Sequence, residues 1–422
     1  MKQGKLFYKG IVIGLLTGIL VTIYRLTLGM AEDLNLAVYE YLKNHTILIP
    51  FWFTPLIVFA LFVGFLIKKN PLIGGSGVPQ AKGVIFGYFQ GSPIAIIVSK
   101  FIGGTVAIFS GLSLGCCGPS AQMGACIGEK LSRDKQEKPT LMASGATAGL
   151  AAAFNAPVSG ILFSMEELLG RFSPVIFLPL VASALSADFV SKAVFGLEPI
   201  FSFASQYSIS LSNYWIVVSI GVIVGAFGAF YNWTLINVQK FYKNLPALNL
   251  VTRPIIPFVV AGILGLTFPV VLGSGHNVLA TITVSTPIYV LLAILIVKFC
   301  FSIISFVSGA PGGIFFPLLV IGASIGMVFG KVLIMFSDLN PLLLNNIIVL
   351  AMVGSFTAIV RTPITGVVLL MEMTGSFSNV LPLVIVSFVS AVVANSLKSE
   401  PICTSLLKGM LTSRDKTNTL KI

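Results

Sequence analysis

Apolar residues in this chain come in long unbroken stretches rather than in alternation with polar ones. Runs at 52–67, 94–114, 214–236, 254–272, 288–307 and 376–397 carry almost no charge. About 20 such residues cross a bilayer as one helix, and continuous apolarity excludes a transmembrane β-barrel. Several runs are shorter than a span or are cut by Gly or Pro. They predict broken, tilted and re-entrant helices beside full ones.

The pattern is also written twice. Residues 148–170, AGLAAAFNAPVSGILFSMEELLG, return at 353–375 as VGSFTAIVRTPITGVVLLMEMTG, so that Pro157, Gly160 and Glu166 are answered by Pro363, Gly366 and Glu372. GSGVP at 75–79 is answered by GSGHN at 273–277, and GCCGPSAQMGACIG at 115–128 by GAPGGIFFPLLVIGASIG at 309–326. Internal duplication of Gly/Pro-broken apolar helices predicts a membrane transporter whose ion site lies where the repeats meet. The halves are expected over about 8–200 and 212–410, joined by the Ser-rich connector 199–213. A short basic tail, 411–422, is polar enough to be expected without regular structure. The N-terminus has the charge order of a signal peptide but no small-residue cleavage site, which predicts a retained first helix. The predicted architecture is one integrated all-α membrane domain over 1–422, with no soluble domain appended.

Composition sharpens this. Only 9% of the 422 residues are charged and mean hydropathy is +0.99, against roughly a quarter charged in soluble chains. The 41 Gly and 22 Pro imply close helix packing. The net charge of +12 sits at the ends and in short loops: Lys2, Lys5, Lys130 to Lys138, Lys240, Lys243 and Lys398 to Lys421. By the positive-inside rule both termini are expected in the cytoplasm. Basic residues scattered between apolar helices argue against a nucleic-acid partner. None of the five cysteines has C-x-x-C spacing, and His45 and His276 lie far apart, so no metal site is predicted.

Three Gly-rich junctions place helix starts inside the membrane: Gly75-Ser76-Gly77-Val78-Pro79, Gly115-Cys116-Cys117-Gly118-Pro119 and 309–317 with Gly312, Gly313 and Pro317. Glycines permit the tight turn, and Pro near a helix start loses no bonded N–H. The free N–H groups of each first turn then converge with partial positive charge, which suits an anion. Unfilled, such donors are costly in lipid.

From Lys68 to Leu407 the sequence resembles the CLC family of chloride channels and chloride/proton antiporters, with motif order and spacing intact. GSGVP is similar to the family's GSGIP, and GCCGP stands where the family has G(K/R)EGP. The segment 145–168 resembles the long helix that follows, and SGAPGGIFFP the GGxFxP segment. The resemblance implies a homodimer of all-helical subunits in a bacterial plasma membrane. Each subunit would hold its own pore between two inverted repeats, lack cytoplasmic regulatory domains, and need no cofactor beyond chloride as bound substrate. Carried over, Ser76 offers its hydroxyl to the central chloride, the amides of Ile314 and Phe315 donate to it, and Cys403 stands on its inner side. A cage of dipoles without a central lysine strips water from an anion and still releases it.

Two departures shape the functional expectation. Cys117 replaces the family's gating glutamate and Cys116 the basic residue before it, while Cys403 replaces the usual inner tyrosine. A thiol, with a reference pKa near 8.5, is mostly neutral at pH 7 and mimics an anion poorly. Passive chloride conduction uncoupled from protons is therefore expected. A coupled chloride/proton antiporter is the alternative, because Glu167 still matches the antiporters' inner proton site. A fluoride-exporting member fits less well, given Ser76 and Pro119. Bland readings stay open: Ser76 as a helix cap, Glu167 as an ion-paired structural carboxylate, and Cys116–Cys117 as small residues filling a turn. A thiol enzyme would need a base beside the cysteines, and none is evident, so no enzymatic activity is expected.

Overall fold

The structure is a computed structural model that describes residues 2–201, 208–281, 283, 285–337, 340–377 and 379–419. In the first half, α1 (Lys2–Asn44), α2 (Ile49–Lys69), α3 (Val78–Ile85), α4 (Pro93–Phe109), α5 (Cys117–Leu131), α6 (Lys138–Phe154), α7 (Pro157–Phe163) and α8 (Pro174–Phe195) follow in order. The second half repeats them as α9 (Tyr214–Asn244), α10 (Ile255–Thr267), α11 (His276–Thr281), α12 (Ile288–Val307), α13 (Phe315–Phe336), α14 (Leu344–Val360), α15 (Pro363–Thr374) and α16 (Val380–Ser396). A last helix, α17 (Ile402–Thr419), has no counterpart. It continues through most of the tail expected to be irregular. Extending a helix that the apolar stretch 402–411 has already nucleated costs far less than starting one.

Seven helices among the described residues are long and apolar enough to cross a membrane, and others are short, as the interrupted runs predict. At 43 residues and 1.5 Å per residue, α1 is about 65 Å long, twice the hydrocarbon thickness, so it must tilt or protrude.

The packing partners are duplicated as well: α5 on α6 and α13 on α14, α1 on α8 and α9 on α16, α6 on α8 and α14 on α16. Glycine makes the closest crossing possible. A Cβ on Gly124 would collide with the carbonyl of Gly145, and one on Gly145 with that of Gly124. Apolar helices gain no hydrophobic driving force from each other in lipid, so such backbone approach supplies the dispersion contact.

A two-fold relation between the halves is visible in the bonds. Gly115 and Gly313 exchange N–H···O bonds of 2.7 Å in an antiparallel bridge. Gly75 donates to Gly309 and Gly273 donates to Gly111, at 3.1 and 3.0 Å. The Glu372 carboxylate accepts the N–H groups of Val158 and Ser159 at the start of α7 (3.0 and 2.8 Å). Reciprocally, Glu166 accepts those of Ile364 and Thr365 at the start of α15 (3.3 and 2.8 Å). The twin carboxylates that mark the duplication are thus swapped helix caps, each neutralising the other half's orphan donors. Because α5 and α13 start at the antiparallel bridge and run away from it, the repeats are inverted.

Candidate functional site

The three Gly-rich junctions converge. Gly77 takes φ +109°, a conformation that only glycine adopts freely, and its N–H is bound by the Gln80 side chain at 2.9 Å. That turn presses Ser76 onto α5, where a Cβ on Gly118 would lie 2.5 Å from Ser76 Oγ. A Cβ on Gly313 would lie 3.1 Å from Gly118 N, so the third junction closes on the same point. Ser76, Cys117, Ile314 and Phe315 are at most 3% exposed. Cys117 is the first residue of α5 and Phe315 the first of α13, so two helix starts face each other here. Phe315 is wedged between Phe163 and Phe356, with ring centroids 5.5 and 5.6 Å away.

Two cavities end on either side of this plug. One, of about 160 Å³, is lined by Gly75, Ser76, Gln239, Lys243, Arg253 and Leu406. The other, of about 200 Å³, is lined by Arg25, Glu32, Cys116, Ser274, His276 and Phe316. The thiols of Cys116 and Cys117 lie 4.0 Å apart and are free. Cys116 is half-buried at the cavity floor, while Cys117 is closed off beneath it.

Cys403, at the head of α17, is 2% exposed, and α17 packs on α3. Glu167 lies on the π-helical turn 164–169 after α7 and is bound by Lys82 of α3 at 2.8 Å, with side chains 7% and 18% exposed. A buried carboxylate needs such a partner to stay charged. Pro79 and Pro119 sit in first helical turns, as expected, and Pro317 does so in α13.

Sequence reasoning missed four charged residues. Lys100 and Lys298 are fully buried. Lys100 Nζ donates to the carbonyls of Ile73 and Gly75 at 2.7 and 2.6 Å, and Lys298 Nζ to those of Val271 and Gly273 at 2.9 Å each. The expected cage has no lysine at its centre, yet one stands directly behind the Ser76 loop. The signal was legible: both lysines interrupt apolar runs, 25 residues after the first glycine of a GSG turn. Arg25 was the third. It bonds Ala152 O and Ser191 Oγ at 2.7 and 2.9 Å, lies 4.0 Å over the Phe195 ring and lines the cavity above Cys116. Helix α1 thus places a cation in the cavity that Cys116 lines. Glu32 is the fourth, and its carboxylate accepts the Ser274 N–H at 2.7 Å. His276, too, lines the cavity with Cys116, its ring 4.3 Å from that of Phe316.

Inverted repeats, helix starts facing a buried hydroxyl, and cavities on both sides define an anion-translocating membrane protein. The sequence profile described as voltage gated chloride channel matches residues 59–395, and the chain belongs to that family. It is 31% identical over 417 residues to the H(+)/Cl(-) exchange transporter ClcA of Vibrio parahaemolyticus, covering 94% of this chain and 88% of the relative. It is 28% identical to the protein of that name from Klebsiella pneumoniae, over 96% and 88%. Its structure resembles that of a slow cyanobacterial Cl-/H+ antiporter, with a TM-score of 0.89, 26% identity and coverage of 97% and 99%. A eukaryotic CLC transporter shares the fold at a TM-score of 0.80 and 20% identity, over 96% of this chain and 74% of that one. The chain transports chloride, as members of its family do, and is not an enzyme.

Proposed function

We propose that the chain exchanges chloride for protons across a bacterial plasma membrane. The observation that carries this reading is similarity over nearly the whole chain to relatives named as exchangers. Passive conduction, expected from Cys117, has no such support among them. In this reading Ser76 Oγ and the N–H groups of Ile314 and Phe315 hold chloride, Cys117 stands at the gate, and Cys403 closes the inner side. Glu167, kept beside Lys82, takes protons from the inner face. The pathway lies within one subunit of a homodimer. Both termini are cytoplasmic, since α1 begins where Lys9 binds Glu137 of the basic 130–138 loop. The cavity holding Arg25 and Glu32 then opens outward.

Passive conduction remains the second reading on one observation: no carboxylate stands at position 117. Reconstituted protein decides between them. An imposed chloride gradient should drive protons uphill under an exchanger. Chloride efflux under a voltage shunt, with external pH flat, would establish the passive reading instead.

A further inference from the structure

The two cavities are related by the same two-fold operation as the helices, and among the differences in their linings one bears directly on the glycine turns. Advancing 198 residues takes Gly75, Ser76 and Gly77 onto Gly273, Ser274 and Gly275. The backbone follows, with φ of 71° and 109° in the first turn and 60° and 107° in the second. The same step takes Lys100 with its two carbonyls onto Lys298 with its two. Ser274 therefore stands at the outer cavity as Ser76 stands at the inner one. Its Oγ is buried and bonded to nothing.

The long helices obey a similar relation. Gly14 and Gly18 of α1 pack on Ser183 and Ala187 of α8, and Gly221 and Gly225 of α9 pack on Val389 and Val393 of α16. This spacing of 207 residues also pairs the buried tyrosines Tyr24 and Tyr231. It pairs Glu32 with Gln239. Each lines the cavity at the other half's glycine turn, Glu32 with Ser274 and Gln239 with Ser76. The inner turn thus faces a neutral amide, whereas the outer turn faces a carboxylate that accepts its N–H.

We infer that Ser274 forms an outer anion station and that Glu32 is a tethered anion occupying it, yielding the station to the transported ion when protonated. A carboxylate and a chloride compete for the same N–H and hydroxyl donors, because both are acceptors only. Protonation removes the charge that makes the Glu32 bond strong. The titratable groups around it are Arg25 on its own helix, Cys116 at the head of α5, His276 at the head of α11 and Lys298 on α12. Arg25 lies two helical turns away on the same face, where it favours either anion alike.

The proposal deepens the exchange reading by placing a carboxylate in the outer pathway although Cys117 lacks one, and it is tested apart from it. Chloride flux into liposomes is measured while the outer pH is lowered from 7.5 to 4.5, for the parent and for Glu32→Gln, Glu32→Asp and His276→Gln. Glu32→Gln gives the outer station the residue that the inner one naturally has. Parent flux is expected to rise about tenfold on acidification, the scale of one charge-assisted hydrogen bond. Glu32→Gln should be fast and flat across the range, while Glu32→Asp and His276→Gln keep the slope. Equal profiles for parent and Glu32→Gln, or a slope lost only in His276→Gln, overturn the proposal. A parent that moves no protons uphill yet shows the Glu32-dependent slope refutes exchange and leaves the outer station standing.

Discussion

Lys100 and Lys298 make a matched pair of perturbations. Methionine keeps the length and bulk of lysine while removing its donors. In Lys100→Met the carbonyl of Ile73 loses the ammonium that caps it, a buried unsatisfied acceptor costing about 1–3 kcal/mol. The Gly75 carbonyl keeps a second donor, the N–H of Gly312 at 3.2 Å, so its loss is nearer about 1 kcal/mol. The local cost is then about 2–4 kcal/mol, borne by the loop that aims Ser76 at the plug. If about 1.4 kcal/mol of it appears as displacement of the hydroxyl, the chloride dissociation constant rises about tenfold. Lys298→Met leaves an equivalent loop in the other half without its donors, so it should destabilise the protein by a similar amount. It should leave central chloride binding close to that of the parent, because Ser274 lies outside the plug. Calorimetric titration of chloride on detergent-purified protein, with thermal unfolding in parallel, separates the two. Variants that weaken chloride binding equally, or a Lys100→Met that binds as the parent does, would refute a role for Lys100 in aiming Ser76.

Returning a carboxylate to the gate, as Cys117→Glu, should slow flux at pH 7 and restore it near pH 4.5, where carboxylates take up protons. Flux equal to the parent's at both values would show that position 117 does not face the ion path. Ser76→Val removes a buried hydroxyl without adding a charge. Selectivity among chloride, bromide and nitrate should shift severalfold, and unchanged bi-ionic potentials would reduce Ser76 to a structural role. Burial would raise the Glu137 carboxyl, but the Lys9 ammonium and the N–H groups of Arg133 and Asp134 outweigh it and hold the group below the usual glutamate range. Its folded form is favoured while ionised, so the stabilisation is complete above the unfolded value and disappears as pH falls through the lowered one. Glu137→Gln should flatten the fall in unfolding temperature between pH 5 and about pH 3. A fall as steep as the parent's would place that acid sensitivity elsewhere.

Much of this molecule was legible in the chain because its determinants are local. Gly/Pro junctions fix where helices start, and their repetition fixes the two-fold relation. The three Gly-rich junctions could be brought to one point from the chain itself, and the family resemblance then singled out Ser76, Cys117, Ile314 and Phe315 there. What escaped depends on long-range registry. Nothing near Arg25 or Glu32 says that α1 carries them past Cys116 and Ser274, because α1 meets α5 across about 90 residues of chain. Lys82 and Glu167 read separately as a loop-side cation and a membrane carboxylate, and only the packing of α3 against the turn after α7 joins them. The reciprocal caps were visible as a repeated Glu, but the swap between halves was not. A repeat in sequence does not say whether the copies bond within themselves or to each other.

Inverted repeats make the two faces of a transporter alike, so direction and regulation must come from positions where the copies differ. Three such pairs lie at the junctions and along the cavities. Cys117 stands opposite Phe315 at the paired helix starts, Val78 opposite His276 after the turns, and Gln239 opposite Glu32 along the long helices. Each difference puts the bulkier or more ionisable side chain on the second-half or outer side. The Lys-braced glycine turns are kept on both faces. The frame thus offers two stations of the same geometry. An amide at the inner one leaves its donors to the ion, and a carboxylate at the outer one competes for them. A pathway with equal frames and unequal acceptors sets a carboxylate against the ion at one glycine turn only, which a single central site between symmetric cavities would not do.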